Sequence, residues 1–268
     1  MSLRIQTNIA AFDAERNLSA TSMRMQKSMA RLSSGYRINT AADDAAGLAI
    51  SEKLRAQIGG LAQAGRNVTD AVSLVQTAEG QLNEVHSMLQ RVRELAVQYK
   101  NGTLSTEDRT AIQSEVNQLG SEIQRIGTAA GFNGISLLAN AGTITFQVGA
   151  NDGDSIAVST ISLGSAVSSN VFALTTTGTT DISEIDDAIN QVSAQRAIFG
   201  AVQNRLDHTA NNLSIYQENL TASESQIRDV DMAAEMVKFT KDQILQQAGT
   251  SMLSQANQLP NSVLSLLR

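Results

Sequence analysis

Cysteine and tryptophan are missing from these 268 residues, proline occurs once, at Pro260, and aromatic residues make up 3% of the chain. Without Cys, neither a disulfide framework nor a thiolate metal site can form. With a single Pro, almost nothing interrupts long helices. A core so poor in aromatics must be built from Leu, Ile, Val, Ala and Met, which suits thin helix bundles better than a globular enzyme. Histidine is also scarce. His86 and His208 each lie in a heptad-patterned stretch, where packing or surface roles outweigh catalysis. No HExxH, CxxC, GxSxG or P-loop pattern occurs, so no enzyme activity and no cofactor are expected. No apolar run approaches a transmembrane span, and membrane insertion is not expected. The opening "MSLRIQTNIAAFDAERN" lacks an apolar h-region and a cleavage site, so a conventional signal peptide is not expected either.

The formal charge of -6 is unevenly placed. Between Arg125 and Arg196 there is no Lys or Arg, while Asp152, Asp154, Asp181, Glu184, Asp186 and Asp187 fall in that interval. The remainder balances, which argues against a phosphate-binding surface and hence against nucleic acid. "NDGDS" at 151–155 has the flavour of a calcium loop, but the rest of an EF-hand loop is missing, and a hairpin turn is the favoured reading.

Four helical stretches and one β segment organise the chain. In the first, Ile5, Ile9 and Phe12 are followed by Met25, Met29 and Leu32 at helical spacing, and Gly35 stops the pattern. Asn39 or Thr40 can cap the second, with Asp43 and Asp44 in its first turn. There Leu61, Val68, Val75, Leu82, Leu89 and Ala96 recur every seven residues, and Leu54, Ile58, Val72, Val85, Val92 and Tyr99 fill the alternate positions. From Asp44 to Tyr99 such a helix would extend ~85 Å. Gly59, Gly60, Gly65 and Gly80 inside it call for close packing or bending as compensation. Ser105 and Asp108 form a capping box for a third helix, whose Ile112, Val116, Leu119, Ile123 and Ile126 share a face. "TITFQVG" and "DSIAVST" alternate around "ANDGD" as a β-hairpin. Residues 159–180, rich in Ser, Thr and Gly, read as an exposed connection. A fourth stretch opens at Asp181 and repeats Ile185, Val192, Phe199, Leu206, Leu213 and Leu220 every seven residues. The fold expected is mainly α: a long antiparallel helical rod or coiled coil with a small β-hairpin region.

"RLSSGYRINTAADDAAGLAI", "LQRVRELAVQ", "GFNG" and the C-terminal "ENLTASESQIRDVDMAAEM…QANQLPNSVLSLLR" closely resemble bacterial flagellin. The resemblance covers about residues 1–140 and 180–268. Many flagellins insert outer domains in between, so this chain resembles a minimal form with two core domains. It implies an inner core domain of residues 1–44 with 226–268, and an outer core domain of 45–225 carrying the exposed connection 159–180. The expected function is a structural subunit that self-assembles into the flagellar filament for swimming motility. A hook–filament junction protein, which shares the N-terminal motif, is the alternative. The resemblance further implies type III export, an extracellular location in the filament, a flagellar export chaperone, and filament cap and hook-junction proteins as partners.

Two sets of residues are expected to carry function. Ile5, Ile9 and Phe12 at one end, with Val263, Leu264, Leu266 and Leu267 at the other, are apolar groups that only neighbouring copies can bury. In "LQRVRELAVQ", Leu89, Val92 and Ala96 lie on the heptad seam, whereas Leu95 falls with Arg91 and Gln98 at i, i+4 and i+7 spacing. That places an apolar side chain on the outer strip, as an intersubunit contact requires. By resemblance, Arg91, Leu95 and Glu115 match positions read in monomeric flagellin by the host flagellin-sensing Toll-like receptor.

Overall fold

The computed structural model describes residues 8–167, 169–176 and 181–266, without the side chains of 169–170 and 259–266. Ile5 and Leu267, and the side chains of Val263, Leu264 and Leu266, therefore lie outside the described residues. The chain is mainly helical: α1 (Ile9–Ser34), α2 (Ala45–Tyr99), α3 (Thr106–Ala129), a short α4 (Leu163–Ala166), α5 (Asp181–Arg228) and α6 (Met232–Leu266). Two antiparallel strand pairs complete it, β1 (Gly131–Phe132) with β2 (Ile135–Ser136) and β3 (Gly142–Gln147) with β4 (Ser155–Thr160).

Local chemistry sets the helix ends. Gly35 closes α1 in the left-handed conformation at φ 76°. The Ser105–Asp108 capping box opens α3, with both reciprocal bonds formed. At α2 the cap is Asp44, whose Oδ1 accepts the Gly47 N–H at 2.9 Å, in place of the expected Asn39 or Thr40. Those two residues instead donate their backbone N–H groups to the Asp43 carboxylate, closing a turn before the helix. The "GFNG" segment forms a further hairpin, with Asn133 and Gly134 at φ 50° and 78°, the left-handed pair that a tight turn requires.

The chain divides into two units, one of Met1–Ala56 with Asn219–Arg268 and one of Gln57–Glu218. The divisions fall within α2 and α5.

In the 57–218 unit, α2 and α5 run antiparallel, tied by Arg93–Asp186 at 2.6 Å and Arg196–Glu79 at 3.7 Å. The seven-residue repeats of both helices are buried, from Leu61 to Ala96 and from Ile185 to Leu213. The second buried strip of α2 runs through Ala64, Ala71, Ala78, Val85 and Val92, whereas Val72 is only half-buried. Of Gly59, Gly60, Gly65 and Gly80 in α2, only Gly60 meets a close neighbour: a Cβ there would lie 2.9 Å from that of Ala150 in the hairpin turn. That hairpin is the one expected from "TITFQVG" and "DSIAVST". Its Ile156, Val158 and Thr160 are buried. Asn67 of α2 and Gln195 of α5 donate to the Gln147 and Ser159 carbonyls, anchoring both strands.

Two expectations fail in this unit. Leu95 is not on an outer strip: it is 2% exposed. α2 is flanked by α3 as well as by α5, with Arg91 pairing across to Glu115 of α3 at 2.9 Å. A helix between two neighbours needs a buried face wider than a two-helix seam, and Leu74 and Leu95, three heptads apart, supply it. The connection 159–180 is not simply exposed either. Leu163, Ala166, Val167, Val171, Phe172 and Leu174 are buried. Gly120 and Gly127 of α3 receive Phe172 and Leu163; a Cβ at Gly120 would lie 2.8 Å from the Phe172 ring. Residues 168 and 177–180 of that segment lie outside the described residues.

Candidate assembly surface

The unit formed by the chain ends inverts the usual distribution of polarity. α1 and α6 pack antiparallel, with Asn8 donating to the Ala256 carbonyl, Leu18 against Gly249 and Ser28 opposite Glu235. Only Ile38 and Ala256 are deeply buried apolar residues among the described residues of this unit. Apart from Ala256, the deeply buried residues of α1 and α6 are polar: Thr21, Ser28, Glu235 and Asp242. Ser28 Oγ donates to Glu235 Oε1 at 2.7 Å, Lys238 bonds the other oxygen at 2.9 Å, and Arg31 stands 3.8 Å away. Burial pushes the Glu235 carboxyl up, but the Ser28 hydroxyl and the two cations bring it below the ordinary carboxylate value. Lys27 holds Asp43 at 2.5 Å and, with the Thr40 and Asn39 backbone N–H groups, keeps it far below that value.

The loops between α1 and α2 and between α5 and α6 are joined by a short antiparallel bridge. Arg37 N–H donates to the Arg228 carbonyl at 2.7 Å, and Val230 N–H to the Gly35 carbonyl at 3.0 Å. Arg228 stacks on the Tyr36 ring at 4.7 Å and pairs with Glu52 at 2.6 Å, so its guanidinium lowers the Glu52 pKa.

The apolar side chains meanwhile face outward. Ile9, Phe12, Met23 and Met29 of α1 and Met236, Val237, Ile244 and Met252 of α6 are exposed, Phe12 by 65% and Val237 by 70%. An amphipathic helix normally buries this face. Ile9 and Phe12 are uncovered within the single chain. In the sequence the α6 residues belong to a weaker apolar pattern than the heptads of α5, running through Ile227, Val230, Ala234, Val237, Ile244, Ala248 and Met252.

The second expected set splits. Arg91, Gln98 and Glu115 are exposed, and Glu115 followed by Glu94 raises the Arg91 pKa. Leu95 is buried. His86 bonds Gln90 at 2.9 Å, and His208 lines an open groove of 730 Å³ with Leu61, Val148, Arg205 and Tyr216. No group of metal-ligating side chains is present among the described residues, and no described helix is long and apolar enough to cross a membrane.

Long antiparallel helices, a terminal pair with its apolar faces uncovered and a small hairpin define a helical structural protein. Comparison with known proteins gives its family. Residues 5–143 match the bacterial flagellin N-terminal helical region and residues 182–267 the bacterial flagellin C-terminal helical region. The chain is 50% identical to a flagellin of Halalkalibacterium halodurans over 270 residues, covering 98% of this chain and 99% of that protein. It is 47% identical to a flagellin of Bacillus subtilis over 306 residues, covering 99% and 100%. The crystal structure of Bacillus cereus flagellin aligns at TM-score 0.51 and 34% identity, over 55% of this chain and 88% of that one. The chain belongs to the bacterial flagellin family. It is a non-enzymatic structural subunit of the flagellar filament, which such chains build as a homopolymer.

Proposed function

We propose that the outward apolar faces of α1 and α6 are the surfaces through which copies of this chain pack in the filament. One observation carries the reading: the helix pair keeps Ser28, Glu235 and Asp242 inside and Phe12, Val237 and Met252 outside. Fully burying such a side chain contributes roughly 1.5–3 kcal/mol, and a single chain leaves that gain unused. Ile5, Val263, Leu264, Leu266 and Leu267 extend the same apolar character toward the chain ends. On this reading the chain works outside the cell after type III export, and an export chaperone shields α6 beforehand. The cap and hook-junction proteins meet the same faces at the two ends of the filament. Seeded polymerisation followed by electron microscopy tests the reading. The full chain forms long fibres, and a chain lacking residues 262–268 does not; normal fibres from the truncated chain would refute it.

Recognition of the monomer by the flagellin-sensing Toll-like receptor is proposed at Arg91, Gln98 and Glu115. What supports it is an exposed ion pair bridging α2 and α3, one helical turn from buried Leu95. Leu95 then acts by holding α2 against α3. In a receptor reporter assay, Arg91→Ala monomer activates less than the parent chain, and unchanged activation would overturn the assignment.

A further inference from the structure

Methionine is unevenly distributed. Met23, Met25 and Met29 lie on α1 and Met232, Met236 and Met252 on α6, whereas Met88 is the only methionine of the 57–218 unit. Met88 is half-buried in α2, on the strip shared with Leu74 and Leu95. In contrast, Met23, Met29, Met232, Met236 and Met252 are between 48% and 64% exposed. Met25 and Met29, one helical turn apart, line a shallow hollow beside Phe239 of α6, and Met236 lines another with Val237 and Ile244. The thioethers thus sit on the uncovered apolar faces, with very little thioether in the packed body of the other unit.

Thioether oxidation follows exposure and turns a flexible apolar side chain into a polar one. Hydrogen peroxide transfers one oxygen atom to a sulfur lone pair: the O–O bond breaks, an S–O bond forms, sulfur loses two electrons and the peroxide leaves as water. We propose that Met23, Met29, Met232, Met236 and Met252 make assembly redox-sensitive, so that peroxide-class oxidants convert the free monomer into a folded but assembly-incompetent chain. The inference rests on the packing role proposed above for α1 and α6. A sulfoxide oxygen at a contact between copies must be desolvated without a designed partner, which disfavours the polymer. The fold of the 57–218 unit persists, because its heptad core is made of Leu, Val, Ile, Ala and Phe, and Met88 is shielded. Once assembled, the same thioethers are covered by neighbouring copies and oxidise slowly. Reduction of the sulfoxides restores competence, since this step of sulfur oxidation is enzymatically reversible.

The experiment treats full-length monomer and preformed filament with the same dose of hydrogen peroxide, removes the oxidant, and reads each methionine by peptide mass spectrometry. Monomer is then assayed by seeded assembly and circular dichroism. In the monomer, the five exposed methionines gain one oxygen each ahead of Met88, helicity is retained, and the critical concentration for assembly rises about tenfold or more. In the filament those five are protected. A chain with all five changed to Leu assembles and stays competent after peroxide. Oxidised monomer that assembles like the untreated chain overturns the proposal, as does equal oxidation in monomer and filament. Should the five-Leu chain fail to assemble, treatment of oxidised parent monomer with methionine sulfoxide reductase decides: recovery of assembly supports the proposal and its absence overturns it. Failure of untreated parent monomer to assemble on seeds would instead remove the packing role of α1 and α6, and this inference with it.

Discussion

Leu95 and Glu235 are each set in a surrounding that their residue type alone does not dictate. Leu95 is almost fully buried on α2, one helical turn from Arg91, which pairs with Glu115 of α3. Truncating such a side chain loses its transfer free energy and leaves a cavity, so Leu95→Ala lowers stability by about 2–5 kcal/mol. Thermal unfolding of the monomer checks this; a melting temperature equal to the parent's would mean that the site is not packed. Glu235 is a buried carboxylate held by Ser28, Lys238 and Arg31, and Asp43 is likewise held by Lys27. Both have folded pKa values below their unfolded values. Their stabilising effect is therefore fully present above the unfolded carboxylate range near ~4, and is lost as pH falls through the depressed folded values. The parent chain loses α1–α6 stability across that acid window. Glu235→Gln starts lower at neutral pH and shows a flatter slope. Unfolding followed by circular dichroism from neutral to acid pH measures both slopes, and parallel curves would count against the carboxylate's role.

Among the elements, those visible beforehand were the ones whose signals are local or periodic. The heptads of α2 and α5, the Gly35 stop, the Ser105–Asp108 box and the hairpin around "ANDGD" each arise from neighbours in sequence, and each forms. The connection 159–180 was misread because Leu163, Val171, Phe172 and Leu174 follow no period among Ser, Thr and Gly. Their burial depends on Gly120 and Gly127 of α3, distant in the chain. Leu95 was misread for a related reason: a heptad reports one partner helix, and α2 has two. The polar interior of the α1–α6 pair was hidden as well, since Ser28 and Glu235 meet only across 207 positions of sequence. At the α3 groove a methyl group is decisive. Gly120→Ala puts a Cβ 2.8 Å from the Phe172 ring, which must move out. Overpacking of this kind costs roughly 1–3 kcal/mol. Limited proteolysis should then cut within the connection sooner than in the parent chain, and an unchanged cleavage pattern would show that the ring is not held there.

Across the whole molecule, the two units use opposite stability strategies. The 57–218 unit buries Leu82, Leu89, Phe199 and Leu206 almost completely, so it has an apolar core of its own. The terminal unit does not, and its helices are held by hydrogen bonds and ion pairs around Glu235, Asp242 and Asp43. Polar contacts direct pairing well but leave little net stability once desolvation is counted. Covering the apolar faces with other copies then couples the order of the terminal helices to assembly. Val237→Asp separates this from ordinary destabilisation. Val237 is 70% exposed, and exposed substitutions away from special features usually shift monomer stability within about 0.5 kcal/mol. In a filament the carboxylate must be desolvated at every equivalent contact, a cost repeated along the polymer. Monomer unfolding should therefore stay close to that of the parent chain, while seeded assembly is lost or requires far higher concentration. Phe12→Asp on α1 should behave in the same way. A control at Gln98, an exposed residue of the 57–218 unit, should leave polymerisation intact when changed to Ala. If Val237→Asp assembles normally, the outward face of α6 is not a contact between copies, and the filament must be held through the 57–218 unit instead.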